Sequence, residues 1–268
     1  MFNLLCMDLY RIKRSKFAYV CFGCLLGVIF LSYLMVWLMA TPKGQETALK
    51  LGMLPLNELE EGRALLAEAD VLAMFRESGM DGGMYSLIFG VAVALLVCGD
   101  YQGGFMKNIM SLHRQRQVYI GSKLMAAGIL NFLYLALGFA FNMLMNQLFQ
   151  HMVPASDWRA TLFYLGWAWV LTTGFAALII LLCVLSRSTT IGVLGAVFGG
   201  SGLIVMLLHS ITSQFHLGGW VEYTIYYNLT YGPSSYASVG DLRGAAVGLA
   251  FLALYSAASV VAVRKRDI

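Results

Sequence analysis

The stretch DYQGGFMKNIMSLHRQRQVYIGSK, from Asp100 to Lys123, gathers an acid, a glycine pair and the four cations Lys107, Arg114, Arg116 and Lys123 in an otherwise apolar chain. These residue types suit polar contact with a partner rather than bond breaking. They include no paired carboxylates, no nucleophile beside a base and no histidines at ligand spacing. Gly121-Ser122-Lys123 has only the tail of a G-x-x-x-x-G-K-[ST] phosphate loop and leads into an apolar run, so any uphill work must draw its energy from another chain. No catalytic residue and no metal site is assigned. His113, His151, His209 and His216 are scattered, and Cys21-x-x-Cys24 has no histidine near it to complete a ligand set.

Within the stretch, Phe105, Ile109 and Leu112 recur at i, i+4 and i+7 with Met106 and Met110 beside them, while Lys107, Asn108, Ser111 and Arg114 take the other face. That spacing predicts a short amphipathic helix. The N-terminus repeats the pattern: Phe2, Leu5, Leu9 and Ile12 form an apolar stripe, with Asp8, Arg11 and Arg14 off it.

The elements that must hold these segments are membrane spans. Of 268 residues, 59% are hydrophobic and 12% charged, against about 25% charged in soluble domains; the mean hydropathy is +0.73. Six runs reach or approach the ~20 apolar residues a spanning helix needs: Phe17 to Ala40, Gly83 to Gly99, Leu124 to Phe149, Ala160 to Leu185, Ile191 to Thr212 and Gly244 to Val263. The first is too long for the core of a cleaved signal peptide and reads as a retained anchor.

Basic residues set the expected orientation. With the N-terminus inside, the inner segments hold Arg11, Lys13, Arg14, Lys16, Lys107, Arg114, Arg116, Lys123, Arg187, Arg264, Lys265 and Arg266, out of 18 Lys and Arg in all. Both termini are therefore expected in the cytoplasm of a cell whose plasma membrane the chain crosses. The net charge of +4 is then a topological signal, not a mark of nucleic-acid binding. The five cysteines fall on the inner side, where no external disulfide is expected.

The spans carry no acid or base at mid-depth, which argues against an ion-coupled carrier. Asn131, Asn142 and His209 are expected to make interhelical hydrogen bonds. In the fifth run, Gly192, Gly195, Gly199 and Gly202 lie at i, i+3, i+7 and i+10, one small-residue face for packing within the subunit or at a pore or dimer interface. Beyond it, Trp220, Tyr223, Tyr226 and Tyr227 read as aromatics of the outer membrane interface in a broken hairpin. Asn228-Leu229-Thr230 matches a glycosylation sequon, a tripeptide expected by chance. In the outer loop, Leu65, Leu66, Leu72 and Phe75 suggest a short surface helix acting as a cap.

MDLYRIKRSKFAYV before the first span and DYQGGFMKNIMSLHRQRQVYIGSKLM after the second resemble the two cytoplasmic signatures of ABC-2 type permeases, the membrane subunits of bacterial ABC exporters. In that pattern Asp100 takes the acid position, Gly103 the glycine, Arg116 the arginine, and Ser122-Lys123 the end; Asp stands where Glu is more usual, and Gly104 replaces a Thr. The resemblance implies a single all-α transmembrane domain over 1–268. Its parts would be an amphipathic N-terminal helix (1–16), an outer loop (41–82), a cytoplasmic coupling loop (100–123) and an outer aromatic hairpin (213–241). Asp100, Gly103, Lys107, Arg114, Arg116, Ser122 and Lys123 would then serve ATPase coupling, with ATP and Mg bound on a partner ATPase dimer and no cofactor in this chain. A second permease copy or related permease completes the expected assembly. The cargo is expected to be amphiphilic, a peptide by family analogy or a hydrophobic compound. The alternative is a membrane enzyme or a sensor or immunity subunit without transport. An intramembrane protease would need acid, histidine or Ser/Lys groups converging inside the spans, and the sequence places none there.

Overall fold

A computed structural model describes residues 2–50, 69–104, 117–215 and 218–265, and among these it is helical without strands. The helices are α1 (Phe2–Arg14), α2 (Lys16–Ala40), α3 (Pro42–Lys50), α4 (Val71–Phe75), α5 (Met84–Gln102), α6 (Gln117–Leu148), α7 (Trp158–Ser186), α8 (Thr189–Gly200), α9 (Leu203–Ser213), α10 (Ile225–Tyr231) and α11 (Arg243–Lys265). Among the described residues, five helical segments are long and apolar enough to cross a membrane, six if α8 and α9, bent by 56°, form one span. The six apolar runs of the sequence correspond to these segments.

α2 shows how a span divides its faces. Leu25, Ile29 and Tyr33, at i, i+4 and i+8, are buried against the other helices, whereas Phe30, Leu31 and Met35 are exposed on the far side. Apolar exposure of that kind suits a hydrocarbon solvent. With lipid as apolar as leucine, packing and internal hydrogen bonds hold the helices together. Glycines supply the close approach: a Cβ at Gly174 of α7 would stand 2.7 Å from the Gly248 carbonyl oxygen of α11. Asn131 on α6 supplies the polar stitching, donating to Thr172 (2.7 Å) and Thr173 (2.9 Å) of α7 and accepting from the Tyr85 hydroxyl of α5 (2.7 Å). Asn142 donates to the Val71 carbonyl at 2.9 Å. His209, expected to bond between helices, lies instead on the exposed side of α9, which buries none of its residues.

Two expectations about span shape are corrected. The second span begins near Val71, not Gly83: α4 runs through a π-helical turn (Arg76–Met80) and a 3-10 turn (Asp81–Gly83) into α5. Leu72 and Phe75 therefore belong to the core, Phe75 edge-on to Phe139 at 5.5 Å, and not to a surface cap; Leu65 and Leu66 lie outside the described residues. Arg76 and Asp81 made this segment look like loop. Arg76 in fact donates to the Thr230 carbonyl (2.7 Å) and lies over the Tyr164 ring, tying the segment to α10 and α7. The second correction is the fifth span, which breaks at Ser201. Gly202 has φ +71°, a left-handed conformation that side chains with a Cβ rarely adopt.

Candidate functional site

α1, the last turns of α5 and the first turns of α6 meet at one end of the molecule, and four charges converge there. Lys123 on α6 lies 2.6 Å from Asp8 of α1 and 2.6 Å from Asp100 of α5. Arg11, one helical turn beyond Asp8, pairs with the other oxygen of Asp100. Tyr119 donates its hydroxyl to Asp100 at 3.1 Å, and the Ser122 hydroxyl reaches Asp8 at 3.4 Å. Asp8 and Asp100 are fully buried and Lys123 is 1% exposed. Two acids and two bases make the cluster neutral, the condition under which charges can be enclosed at all. Burial raises the Asp8 carboxyl above its ordinary pKa; attraction to Lys123 offsets this in part, and Asp100 adds to it.

The cluster joins α1 to both roots of the loop between α5 and α6. Asp100 stands just before the α5 terminus, where the Gly103 amide caps the Gly99 carbonyl at 3.1 Å and Gly104 turns with φ +66°. Ser122 and Lys123 sit in the second turn of α6. Asp100, Ser122 and Lys123 are thus enclosed beneath α1. Lys107, Arg114 and Arg116, and with them the expected amphipathic helix of the loop, lie outside the described residues. Nearby, Gln102 donates to Thr189 at 2.8 Å and Arg264 to Gln117, so α8 and α11 end at the same level.

Asp8 and Arg11 were missed as site residues. Among Arg11, Lys13 and Arg14 an aspartate reads as part of a solvated face. The usable signal was the i, i+3 spacing, which puts Asp8 and Arg11 on one face of α1.

The glycine face of the fifth span divides at the break. Gly192, Gly195 and Gly199 lie on α8 against Cys183, Leu182 and Phe175 of α7, so they serve packing within the chain; Gly202 forms the turn itself, its Cα against the Tyr226 ring. The aromatic segment is a 3-10 turn (Gly218–Tyr223) followed by α10. Trp220 donates to Thr212 at 2.9 Å, Tyr223 stacks under the Arg243 guanidinium at 4.4 Å, and Tyr227 contacts Tyr231 with ring centroids 5.1 Å apart. Asn228 is buried and donates to the Glu222 and Thr224 carbonyls, an occupied position unlike an accessible sequon. The cysteines are free.

Residues 4–202, from α1 through the break of the fifth span, match the family model described as ABC-2 family transporter protein. No curated protein matches the chain.

Proposed function

The chain belongs to the ABC-2 family of transporter membrane proteins, and on that premise we propose that it is the permease subunit of an ABC exporter, driven by ATP hydrolysis on a separate subunit. It is a multi-pass membrane protein and a membrane component of transport. In the proposed arrangement both termini and the loop between α5 and α6 face the cytoplasm of a cell bounded by this membrane, as the basic-residue asymmetry favours. Two permeases, alike or related, stand on an ATPase dimer that carries ATP and Mg.

The observation that carries the reading is the cluster in which buried Asp8, Asp100 and Lys123 are joined by the part-exposed Arg11. A loop docked on a moving ATPase does mechanical work only if its roots are stiff. Here both roots are tied to each other and to α1 through one charge network whose centre, Asp8, Asp100 and Lys123, is buried, so a push on the loop tilts the second and third spans together. Arg114 and Arg116 lie between those roots in sequence and are the proposed contacts with the ATPase. The proposed cargo is an amphiphile, a peptide or a hydrophobic compound, moved outward from the cytoplasm or the inner leaflet.

The test is charge reversal. Replacing Arg114 and Arg116 together by Glu should abolish substrate-stimulated ATP hydrolysis and weaken recovery of the co-expressed ATPase, because it sets like charges against each other in the contact. A loop that merely rests on anionic lipid would lose about 1 kcal/mol per cation, which a six-span protein hardly registers. Normal stimulation and normal recovery of the complex, with correct membrane insertion, would refute the assignment.

A further inference from the structure

Where the fifth span breaks, the structure forms a half-open pocket of about 200 Å³ whose lining includes Ser86 of α5, Phe175 of α7, Ile204 and Val205 of α9, Tyr226 of α10 and Tyr255 of α11. It lies at the middle of two apolar segments, Val71–Gln102 and the bent pair α8 and α9. Its walls are mostly hydrocarbon and aromatic, yet two hydrogen-bonding features border it.

The first is Ser86, 3% exposed, whose Oγ has no hydrogen-bond partner. A helical serine ordinarily donates to the carbonyl four residues back, as Ser32 does to Val28, Ser201 to Val197 and Ser259 to Tyr255. For Ser86 that residue is Gly82, which has non-helical angles (φ 75°, ψ −1°) in the kink before α5. The kink takes the carbonyl out of helical register and leaves the hydroxyl of this lining residue without a partner.

The second is the start of α9. Its cap, Gly202, offers no side-chain acceptor, and Ile204 and Val205, which line the cavity, belong to the first turn, where backbone N–H groups have no acceptor within the helix. The two breaks abut: a Cβ at Gly83 would stand 1.8 Å from the Gly200 carbonyl oxygen. Donors from both kinks therefore border one low-dielectric space, a setting in which broken membrane helices hold anionic groups.

We propose that this cavity is a binding subsite for the carboxylate end of an apolar molecule, its oxygens taken by Ser86 and the first-turn amides of α9 and its chain or ring by Phe175, Tyr226 and Tyr255. The volume is below the ~300–1,000 Å³ of pockets that enclose a drug-sized ligand, so it takes one end of an amphiphile and not a whole one. Ile204, in the wall of the pocket, is itself exposed, which leaves a lateral way in from the membrane. A fatty acid and a short apolar peptide with a free C-terminus present the same chemistry. That the occupant is cargo rests on the permease reading; its binding does not, and the following assay contains no ATPase, so its failure leaves the coupling test untouched.

The purified chain in lipid nanodiscs is photolabelled with diazirine-bearing palmitic acid and with a diazirine-bearing apolar tripeptide, each compared with its terminal amide. Adducts of one acid probe at the cavity residues are expected, reduced about two- to tenfold for the amide and for Ser86→Ala, the worth of one hydrogen bond; the acid that labels identifies the source. Ser86→Ala removes an unpartnered hydroxyl and should leave thermal stability unchanged or higher. Val205→Trp, which fills the space, should abolish the adducts, and Leu207→Trp on the exposed face of α9 should not. Equal labelling by acid and amide, or labelling undiminished in Ser86→Ala and Val205→Trp, would overturn the proposal.

Discussion

Lys123 meets two carboxylates, and the two are not equally replaceable. Burial makes Asp8 easier to protonate than an ordinary carboxyl, whereas Asp100 serves both cations at once. Asp100→Asn leaves Lys123 and Arg11 to share Asp8 and should cost about 3–5 kcal/mol, the range for breaking a buried pair. Asp8→Asn keeps Lys123 paired with Asp100 and should cost distinctly less; melting in detergent measures the order, and equal losses would contradict this division of roles. The pH dependence has a defined sign. A carboxyl whose pKa is raised on folding contributes most below its unfolded value, near 4, and loses that contribution as the pH climbs through its raised folded value. Docking of α1 should therefore weaken as the pH rises through that window, and Asp8→Asn should remove the dependence. Asp100 and Lys123 were legible as important because they end a recognisable signature, but their burial was not. Nothing in a string of letters shows that an amphipathic segment folds over them.

At the scale of elements, the break of the fifth span makes the sharpest demands. Gly202→Ala places a Cβ on a left-handed residue already against Tyr226, and Gly83→Ala drives one into the Gly200 carbonyl; either should reduce folded yield. Gly199→Leu collides with Phe175 and should disrupt folding or transport, while the volume-conserving Leu207→Ile on the exposed face should be mild. Full assembly and transport in Gly199→Leu, checked by size-exclusion profile and efflux, would show that the α8 contacts are dispensable. The six apolar runs were readable because hydrocarbon demands long unbroken hydropathy. The break was not, since Gly199 and Gly202 at i, i+3 fit a continuous helical face as well as a turn, and the contact with α5 that selects the turn is tertiary. The true start of the second span was hidden likewise, because Arg76, Glu77 and Asp81 look like loop until Thr230 and Tyr164 are brought beside Arg76.

For the whole molecule, the expected topology can be measured directly. In a cysteine-free background, single cysteines replacing Lys50 and Gly218 should react with impermeant thiol reagents from outside and one replacing Gln115 should not; the reversed pattern would sink the orientation. The neutral cluster has a further consequence at this scale. Moving one elementary charge through a membrane potential of 100 mV involves about 2.3 kcal/mol, but Asp8, Arg11, Asp100 and Lys123 travel together as two positive and two negative charges. The cluster itself therefore adds no gating charge to a displacement of α1 and the loop roots, and any voltage dependence of that step falls to charges outside it, such as Lys13 and Arg14 of α1. Asp8→Asn would leave the cluster with a net positive charge and increase the voltage dependence of the same step.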